Sequence, residues 1–410
     1  MALIVQKFGG TSVADVDKIK GVARKAARLY QEGNQVVLVV SAMGKSTDHL
    51  LDLMYRLTKN PPERELDMLM STGEQVSISL LSTAFHTMGI EAVSLTGFQA
   101  GIKTDSNHTR ARIREIETER IEKELEKGKI VVVAGFQGID PQGEITTLGR
   151  GGSDTTAVAL AAALKADLCE IFTDVKGIYT LDPNMVPAAR KLPFISYDEM
   201  LEMANLGARV MHPRAVELGK QYKLKIHVRS SFDEEEGTII REVTSVEEKY
   251  IVSGIACDVN LAKVAIVGVP DRPGIAANIF NTIAAAGISV DLIVQSIRKD
   301  EENDILFSVN KEDLNKTLSI LEKISDKVGA KEVFYDEEVA KISIIGAGMA
   351  NVPGVAATMF KALADRDINI EIISTSEIKV SCLIKKDRIN DAAEAVHEAF
   401  ELGEDQASLT

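Results

Sequence analysis

Two apolar runs with a helical pattern between them open the chain. Residues 2–8 (ALIVQKF) end at Gly9 and Gly10, and residues 35–40 form the second run. Residues 15–31, between these runs, repeat apolar side chains at helical spacing. The pattern predicts a strand–helix–strand unit, whose parallel strands end at the same edge of a sheet.

Similar patterns continue to residue 242. Further apolar runs lie at residues 92–95, 130–136, 168–173 and 224–229, and helical patterns lie at 63–88, 117–127 and 200–222. Strands that alternate with helices are typical of an α/β domain. The polar segment VTSVEEK, residues 243–249, follows and is predicted to be a linker.

A glycine-rich stretch at residues 147–164, TLGRGGSDTTAVALAAAL, is the central candidate for a site. Its three glycines permit tight turns and expose backbone N–H groups, and Ser153 or Asp154 is predicted to cap the helix that follows. Because a helix N-terminus carries partial positive charge, the turn indicates an anion site. The alternative is an ordinary capped helix after a glycine turn, and the motif alone does not choose between them.

Two charged side chains belong to this turn. Arg150 offers a planar guanidinium that suits a carboxylate or a phosphate. Asp154 is an acid among groups that attract anions, which is reasonable if it orients a lysine or a metal ion during phosphoryl transfer. The pair therefore favours chemistry on anionic reactants.

Two more turns offer ligand-binding groups. Lys7 stands at the end of the first predicted strand, where it can hold phosphates; a solvated lysine is the alternative. Ser41 and Thr47, after the second strand, can hydrogen-bond a ligand, although Thr47 can equally cap the next helix. Their loop, SAMGKST, is not a Walker A motif, because Val39 stands where that motif requires glycine.

Glu74 lies in a predicted helix between a glycine and apolar positions. An unpaired carboxylate near an apolar face is costly, so Glu74 would require a cationic partner, and a substrate ammonium group is one candidate. The alternative is a glutamate on the protein surface.

The loop after residue 173 carries groups suited to a nucleotide. Tyr179 supplies a ring against which adenine can pack, and Asp182, Arg190 and Lys191 can meet ribose and phosphates. The residues alone do not decide whether they do so.

The last third of the chain contains an internal repeat. Residues 263–296 match residues 341–376, and each copy reads strand, Pro-Gly turn, amphipathic helix, strand, then another strand and helix. The first copy has a fourth strand at residues 332–335, whereas the second lacks its last strand. The predicted strand at residues 250–256 can fill that place, which would nest one module inside the other.

Composition narrows the functional classes. A chain of 410 residues is long enough for two or three domains, and a formal net charge of −14 argues against nucleic acid or an anionic membrane as the main partner. The three cysteines are widely separated and indicate neither a zinc site nor a disulfide framework. With no signal sequence and no apolar run long enough to span a bilayer, a cytoplasmic protein is expected.

The motifs KFGGTS, STGEQVS, TLGRGGSDTTA and FTDVKGIYTLDP occur in this order, followed by the tandem Pro-Gly repeat. With these motifs the sequence resembles the aspartate kinase (aspartokinase) family over its whole length. The resemblance implies an α/β amino-acid-kinase fold, three-layered with a mostly parallel sheet, at residues 1–242. It also implies a linker at 243–249 and two ferredoxin-like βαββαβ ACT modules at 250–336 and 337–410.

The same resemblance implies the reaction of ATP with L-aspartate, which gives ADP and 4-phospho-L-aspartate and requires Mg²⁺. This is the entry step to lysine, threonine and methionine synthesis. Lysine, threonine or both are the implied feedback effectors, and a homo-oligomer through the ACT modules or assembly with a shorter ACT-only subunit is the implied state. No metal ligand from the protein is expected, since Mg²⁺ arrives with ATP. Two alternatives remain open, a kinase for another amino-acid carboxylate and a catalytically silent amino-acid sensor.

Position by position, the resemblance implies roles for the motif residues. Lys7 and Asp154 are the expected catalytic residues, with Asp154 organising the lysines around the transferred phosphate. The residues expected to hold ATP are Lys7, Phe8, Gly9, Gly10, Thr173, Asp174, Tyr179, Asp182, Arg190, Lys191 and Arg209, with either Arg190 or Lys191 on a phosphate. The residues expected to hold aspartate are Ser41, Thr47, Glu74, Thr147, Arg150, Gly151, Gly152 and Ser153. Among these, Arg150 is expected to bind the α-carboxylate and Glu74 the ammonium group, whereas the histidines, His212 included, are expected to be structural.

An effector site follows from the resemblance to ACT modules, which bind amino acids at the turn before their first helix and at the start of the next strand. The expected members are Asp271, Ser289, Val290, Asp291 and Gln295 in the first module and Val355, Ala356, Asn369, Ile370, Ser376 and Glu377 in the second. For Val290 and Ile370, core packing is an equally good interpretation.

Overall fold

The computed structural model describes residues 1–208, 210–243, 250–297, 302–350 and 352–403. The chain forms two compact units. The first consists of Met1–Ile178, Lys191–Asn205 and Arg209–Ser245, and the second consists of Tyr179–Arg190, Leu206–Ala208 and Val246–Thr410. The segment Tyr179–Arg190, which lies before residue 242 in the chain, is therefore part of the second unit.

The first unit is built from strands and helices that alternate along most of its length. Its strands are β1 (Leu3–Phe8), β2 (Gln35–Val40), β3 (Ala92–Leu95), β4 (Ile102–Thr104), β5 (Ile113–Ile116), β6 (Ile130–Ala134), β7 (Gln137–Ile139), β8 (Ile145–Thr147), β9 (Leu168–Thr173), β10 (Phe194–Ser196), β11 (Ile226–Ser230) and β12 (Thr238–Arg241). Its helices are α1 (Val16–Gln31), α2 (Ser46–Leu57), α3 (Glu63–Met70), α4 (Thr72–Thr87), α5 (Glu119–Glu126), α6 (Gly152–Ala163), α7 (Tyr197–Asn205) and α8 (Pro213–Gln221).

The main sheet of this unit has the strand order β10-β12-β11-β9-β1-β2-β6-β3, and a smaller sheet has the order β5-β4-β7-β8. In the main sheet β11 and β12 are antiparallel, and the other neighbouring strands are parallel. The predicted α/β class with a mostly parallel sheet is confirmed. Parallel strands place their carboxyl ends at one edge, where the turns after β1 and β2 meet.

Helices cover both faces of the main sheet. Phe8 and the alternate β2 residues Val36, Leu38 and Val40 pack with α1 and α4 in one hydrophobic cluster. Lys7, which points away from Phe8 because side chains alternate along a strand, is paired with Asp154 of α6. Helix α6 therefore lies on the opposite face, and the sheet is the middle of three layers.

Helix α6 begins differently from the prediction. Its N-cap is Gly151, which has a left-handed backbone with φ of 67°, and no side chain caps the helix. The expectation that Ser153 or Asp154 is the cap is therefore wrong, because both residues lie inside the first turn. Their side chains are free of the capping role and face other groups.

The second unit contains both sequence repeats. Its strands are β13 (Gly254–Asp258), β14 (Leu261–Pro270), β15 (Val290–Ile297), β16 (Glu302–Asn310), β17 (Glu332–Asp336), β18 (Val339–Ile345), β19 (Ile372–Thr375) and β20 (Lys379–Lys385). Its helices are α9 (Ile275–Ala285), α10 (Leu314–Val328), α11 (Val355–Asp365) and α12 (Ile389–Ala399). One sheet has the order β15-β16-β14-β17 and the other has the order β13-β18-β20-β19.

Strand β13 precedes the first repeat in the chain but belongs to the sheet of the second. It pairs antiparallel with β18, where Ala256 lies opposite Ser343. The second repeat thus obtains its fourth strand from upstream of the first, and one module is nested inside the other.

Two ion pairs join the repeats reciprocally. Lys263 of the first copy pairs with Glu371 of the second, and Lys341 of the second copy pairs with Asp291 of the first. The two lysines occupy equivalent repeat positions, and so do the two acids. The contact between the modules therefore has approximate two-fold symmetry.

Candidate active site

A cavity of about 790 Å³ opens at the carboxyl edge of the main sheet. We refer to it as the cleft. Most of the residues predicted to bind the reactants line it: Lys7, Gly9, Gly10, Ser41, Thr47, Glu74, Arg150, Gly151, Gly152, Ser153 and Asp154. Turns that are far apart in the sequence thus converge on one site in the first unit.

Lys7 and Asp154 form an ion pair on the wall of the cleft. Lys7 Nζ lies 2.6 Å from Asp154 Oδ1, and each side chain is 12% exposed. Lys7 is the penultimate residue of β1, whereas Asp154 lies in the first turn of α6. The carboxylate therefore fixes the ammonium group at the end of the strand and leaves part of it open to a ligand.

The Gly-Gly turn after β1 is as compact as the sequence suggests. A Cβ atom on Gly10 would lie 2.8 Å from the carbonyl oxygen of Ala42, so only glycine lets these two turns approach so closely. A Cβ on Gly9 would lie 3.4 Å from Lys7 Nζ. The absence of side chains here leaves room for an anion beside the lysine.

Two hydroxyl groups border the same wall. Ser41 Oγ donates to Ser153 Oγ at 2.9 Å, which links the turn after β2 to the start of α6. Thr47 lines the cleft, and the N-cap of α2 is Lys45, with no side-chain capping bond. Thr47 therefore does not cap α2, and its contact with a ligand stays a prediction.

Glu74 is a buried carboxylate at the floor of the cleft, only 3% exposed. Its Oε1 accepts a hydrogen bond from the N–H of Ala42 at 3.1 Å, and its Oε2 has no hydrogen-bond partner in the described chain. Burial raises the pKa of Glu74 to about 7, although the Ala42 hydrogen bond opposes this shift. Glu74 is thus not a surface glutamate, and a cation in the cleft would complete its environment.

His212 forms the side of the cleft next to Gly151. A Cβ on Gly151 would lie 2.4 Å from the imidazole ring, so the ring occupies the space that the glycine leaves. His212 Nδ1 accepts from the N–H of Arg214 at 3.3 Å and thereby caps α8. Burial lowers the pKa of His212, with a contribution from Arg214. The residue is structural, as expected, and also lines the site.

Several predicted residues of the first unit lie outside the lining of the cleft. The Phe8 ring stacks on Phe172 with their centroids 4.6 Å apart, and Thr147 Oγ1 donates to the buried Asp67 at 2.5 Å. Thr173 Oγ1 donates to Asp174 at 3.1 Å. The ammonium group of Lys191 lies 3.3 Å from Glu235.

Three further residues that were predicted to bind the nucleotide belong to the second unit. Asp182 accepts hydrogen bonds from the backbone and side chain of Asn184, both at 2.9 Å, and the Arg190 guanidinium lies 4.8 Å from the centre of the Tyr250 ring. These residues, with Tyr179, form part of the second unit. Arg209 lies outside the described residues.

Sequence reasoning missed several residues that line the cleft, among them Thr109, Arg110 and Arg214. Thr109 and Arg110 come from the loop between β4 and β5, and Arg214 comes from the first turn of α8. Arg214 follows a His-Pro pair, which is typical of a helix start. This pair could have indicated that Arg214 lies at a helix N-terminus. The short motif NHTRAR around Arg110 carries no comparable signal.

The effector candidates divide into exposed polar residues and partly buried apolar ones. Asp271, Ser289, Gln295, Asn369, Ser376 and Glu377 are exposed. Val290 packs against the core of the first repeat, and Val355, Ala356 and Ile370 pack against that of the second. For Val290 and Ile370 the core-packing interpretation therefore has direct support. Asp291 is bonded to Lys341.

Comparison with known proteins extends this picture. Residues 2–230 match the Amino acid kinase family, and residues 263–326 and 342–400 each match the ACT domain. The aspartokinase of Bacillus sp. (strain MGA3) is 53% identical over 402 residues, which cover 98% of each chain. The chain belongs to the aspartokinase family.

Solved aspartokinases share the fold of this family member. E. coli aspartokinase III in complex with aspartate and ADP (R-state) has a TM-score of 0.83 at 26% identity, and the match covers 97% of this chain and 100% of that one. The same enzyme in complex with lysine and aspartate (T-state) has a TM-score of 0.76 at 26% identity, over 97% and 99% of the two chains. The predicted amino-acid-kinase fold with two ACT modules is confirmed. No helix in the described ranges is both long enough and apolar enough to cross a membrane.

Proposed function

We propose that this chain transfers the γ-phosphoryl group of ATP to the side-chain carboxylate of L-aspartate, which yields ADP and 4-phospho-L-aspartate. Its full-length similarity to aspartokinases supports the reaction. The observation that carries the proposal is the convergence of Lys7, Glu74, Arg150 and Asp154 on one cleft.

The donor end of the cleft is the turn after β1. Lys7 and the N–H groups of Gly9 and Gly10 would bind the transferred phosphoryl group, and Asp154 would hold the lysine in place through their 2.6 Å ion pair. The carbonyl of Phe172, at the end of β9, borders Gly9, since a Cβ there would lie 3.9 Å from that oxygen. This supports a nucleotide that extends from Lys7 toward Thr173 and Asp174. The contributions of Tyr179, Asp182, Arg190 and Lys191 stay predictions.

The acceptor end lies between Glu74 and Arg150. The unpartnered Oε2 of Glu74 would accept from the ammonium group of aspartate, and Arg150 would bind the α-carboxylate through its planar guanidinium. Ser41, Thr47 and Ser153 would complete the polar wall.

The chemistry requires charge neutralisation rather than a general base. The acceptor carboxylate is already ionised at neutral pH, so it can attack without losing a proton. Two anions must nevertheless approach each other, and positioned cations and backbone N–H groups lower that cost. Lys7, Arg150 and the glycine turn supply these groups, while His212 caps a helix.

Magnesium fits this site as a companion of the nucleotide. Among the described residues, no group of three or more His, Cys, Asp or Glu side chains could hold a metal ion by itself. Mg²⁺ is commonly bound through phosphates with one or two carboxylates, and Asp154 is the acid nearest the proposed phosphate position. When bound, the ion would neutralise phosphate charge.

The second unit is the proposed regulatory part. Two ACT domains, together with the lysine complex of E. coli aspartokinase III, support lysine as an effector; threonine is kept as a second candidate. Binding of the effector would favour one of two conformations of the enzyme. Association through this unit, with a second copy or with a shorter ACT-only chain, stays a prediction.

A direct assay separates the candidate functions. Purified protein is given ATP and Mg²⁺ with aspartate, glutamate or N-acetylglutamate, while ADP release and hydroxamate formation are measured. We expect turnover with aspartate, at a rate well above that with either other acid. Turnover with another acid alone would identify a different carboxylate kinase. Tight binding of lysine or threonine without ADP release would identify a sensor.

A further inference from the structure

We propose that Asp67 is a positioning residue for the acceptor end of the cleft, and that it acts through Arg110. Asp67 holds residues 108–111, a segment that we name the strap. The strap presents Arg110 to the cleft beside the Gly149–Arg150 turn, where its guanidinium contributes to binding of the acceptor carboxylates. The proposal rests on the proposed function, because the acceptor is the one named there.

Asp67 is fully buried in α3, and its hydrogen bonds go to two segments distant in sequence. Its Oδ2 lies 2.8 Å from His108 Nδ1, and the N–H of Thr109 donates to both carboxylate oxygens, at 3.1 and 3.0 Å. The hydroxyl group of Thr147, at the end of β8, donates to Oδ1 at 2.5 Å. One carboxylate therefore joins α3, the strap and β8.

The strap is fixed on both sides of Arg110. On one side, His108 and Thr109 are bonded to Asp67; on the other, the N–H of Ala111 donates to the carbonyl oxygen of Thr147 at 2.9 Å. Both anchors thus converge on Asp67 or on Thr147, which is itself bonded to Asp67. The Asp67 carboxylate therefore supplies the side-chain anchor next to Arg110, alongside the main-chain bonds of Arg110 N–H to Asn107 O and of Ala111 N–H to Thr147 O.

The strap also stores backbone strain. Thr109 has a φ of 64°, in the left-handed region that a β-branched residue rarely adopts. Its carbonyl oxygen would lie 3.0 Å from a Cβ on Gly149, and the Arg110 Cα would lie 3.9 Å from the same point. In this conformation the strap packs closely against Gly149, the residue before Arg150. The hydrogen bonds from Thr109 to Asp67 offset this strain.

The consequence is that Arg110 joins Arg150 in the lining of the cleft, where Arg214 also donates to the carbonyl oxygen of Leu148 at 3.2 Å. Arg110 and Arg150 both line the cavity, and the acceptor carries two carboxylates. A guanidinium whose backbone is pre-positioned loses less freedom on binding than a mobile one, so the strap is expected to strengthen acceptor binding more than the chemical step.

The test compares wild type with Asp67→Asn, Arg110→Ala, Arg110→Lys and the double variant Asp67→Asn/Arg110→Ala. We expect Arg110→Ala and Asp67→Asn each to raise KM for aspartate about tenfold, with kcat and KM for ATP changed less than about threefold. Arg110→Lys should recover part of the loss. In the Arg110→Ala background, Asp67→Asn should add less than about twofold, because its effect acts through the missing arginine.

The matched control is Glu65→Gln, which neutralises an exposed carboxylate on the same helix and should leave all three constants unchanged. A merely structural role for Asp67 would lower thermal stability and the yield of active protein but leave KM for aspartate at the wild-type value. That result, or effects of the two substitutions that multiply in full, would overturn the proposal.

Hydrogen exchange of the full chain tests the strap without turnover. We expect the peptide containing Thr109 to lose protection in Asp67→Asn and in Thr147→Val, and to keep it in Glu65→Gln. Retained protection in both Asp67→Asn and Thr147→Val would overturn the proposal. A wild type that fails to phosphorylate aspartate would instead overturn the proposed function, and the exchange result would still decide whether Asp67 holds the strap.

Discussion

Lys7 Nζ lies 2.6 Å from Asp154 Oδ1, and this ion pair joins the central strand β1 to the first turn of α6. Strand and helix approach from different parts of the chain, yet their side chains meet where the glycine turns leave open space. The acid keeps the lysine extended toward that space. The arrangement explains why an acid stands among groups that attract anions.

Lys7→Ala tests the donor end of the cleft. The substitution removes the cation proposed to meet the transferred phosphoryl group, and we expect kcat to fall about 10²- to 10³-fold, the usual loss when one preorganised charge is removed. Lysine binding to the second unit, measured by calorimetry, should stay at the wild-type level. Turnover close to that of wild type would refute the role of Lys7.

Glu74→Gln tests the acceptor end through pH. In the free protein, burial raises the pKa of Glu74 to about 7, so the carboxylate that would bind the aspartate ammonium group is protonated below that pH. We expect KM for aspartate in wild type to rise about tenfold per pH unit as the pH falls below 7. In Glu74→Gln the KM should be high and nearly independent of pH. A wild-type KM that is flat between pH 5 and 8 would contradict this role.

Glu74 also makes the stability of the unliganded fold depend on pH, in the direction opposite to its effect on aspartate binding. Because its folded-state pKa lies above the ordinary value of 4.5, Glu74 stabilises the unliganded fold only in its protonated form, and this contribution is lost as the pH rises from 4.5 through about 7. Above pH 7, Glu74→Gln should therefore be more stable than wild type, by on the order of 3 kcal/mol. At pH 4.5 the two should unfold at similar temperatures. A Glu74→Gln protein less stable than wild type at pH 8 would contradict the prediction.

The sequence predicted the cleft well because its parts lie where strands end. Apolar runs located β1, β2 and β9 within a residue, and glycines marked the turns that carry Lys7 and Arg150. Asp67 was beyond such reasoning, since an acid in a short charged helix is typical of a solvated face. Its partners lie 41 to 80 residues away, and no local pattern reports them.

The segment Tyr179–Arg190 shows a second limit. Its apolar side chains Leu181 and Val186 have neither helical nor strand periodicity, and they pack into the core of the second repeat. A buried loop leaves no periodic pattern of apolar residues in the sequence, because it has no regular secondary structure. The proline-rich composition indicated a loop but not its neighbours.

Gly151→Ala tests the fit between the glycine turn and His212. The new Cβ would lie 2.4 Å from the imidazole, at a φ of 67°. A left-handed backbone alone costs an alanine about 1–2 kcal/mol. Because the collision adds to this strain, the substitution should lower the free energy of unfolding by more than that amount. Gly143→Ala is the matched control, because Gly143 has a φ of 85° with open space around it. Equal losses of unfolding free energy in the two variants, measured by urea unfolding, would contradict the prediction. They would show that the His212 ring moves aside without a measurable cost.

Asp291→Asn tests the reciprocal contact between the repeats. Lys341 is buried, and its partner Asp291 sits half exposed at the edge of the other module. Burial opposes ionisation of Asp291, but the pairing with Lys341 outweighs it and holds the pKa below its ordinary value of 3.8. The substitution leaves a buried ammonium group without its counter-charge, so we expect the unfolding temperature to fall at pH 7, by an amount that corresponds to about 1–3 kcal/mol. Glu371→Gln should act in the same direction.

The pH dependence distinguishes this ion pair from a packing effect. A carboxylate with a lowered pKa stabilises the fold above its ordinary pKa, and the stabilisation disappears as the pH falls below 3.8. The difference between wild type and Asp291→Asn should therefore narrow in that range, whereas a packing defect would persist. Asp365→Asn is the control, because its partner Lys361 is exposed on the same helix and such pairs contribute little. If Asp291→Asn unfolds at the temperature of Asp365→Asn at pH 7, the reciprocal pair does not hold the repeats together.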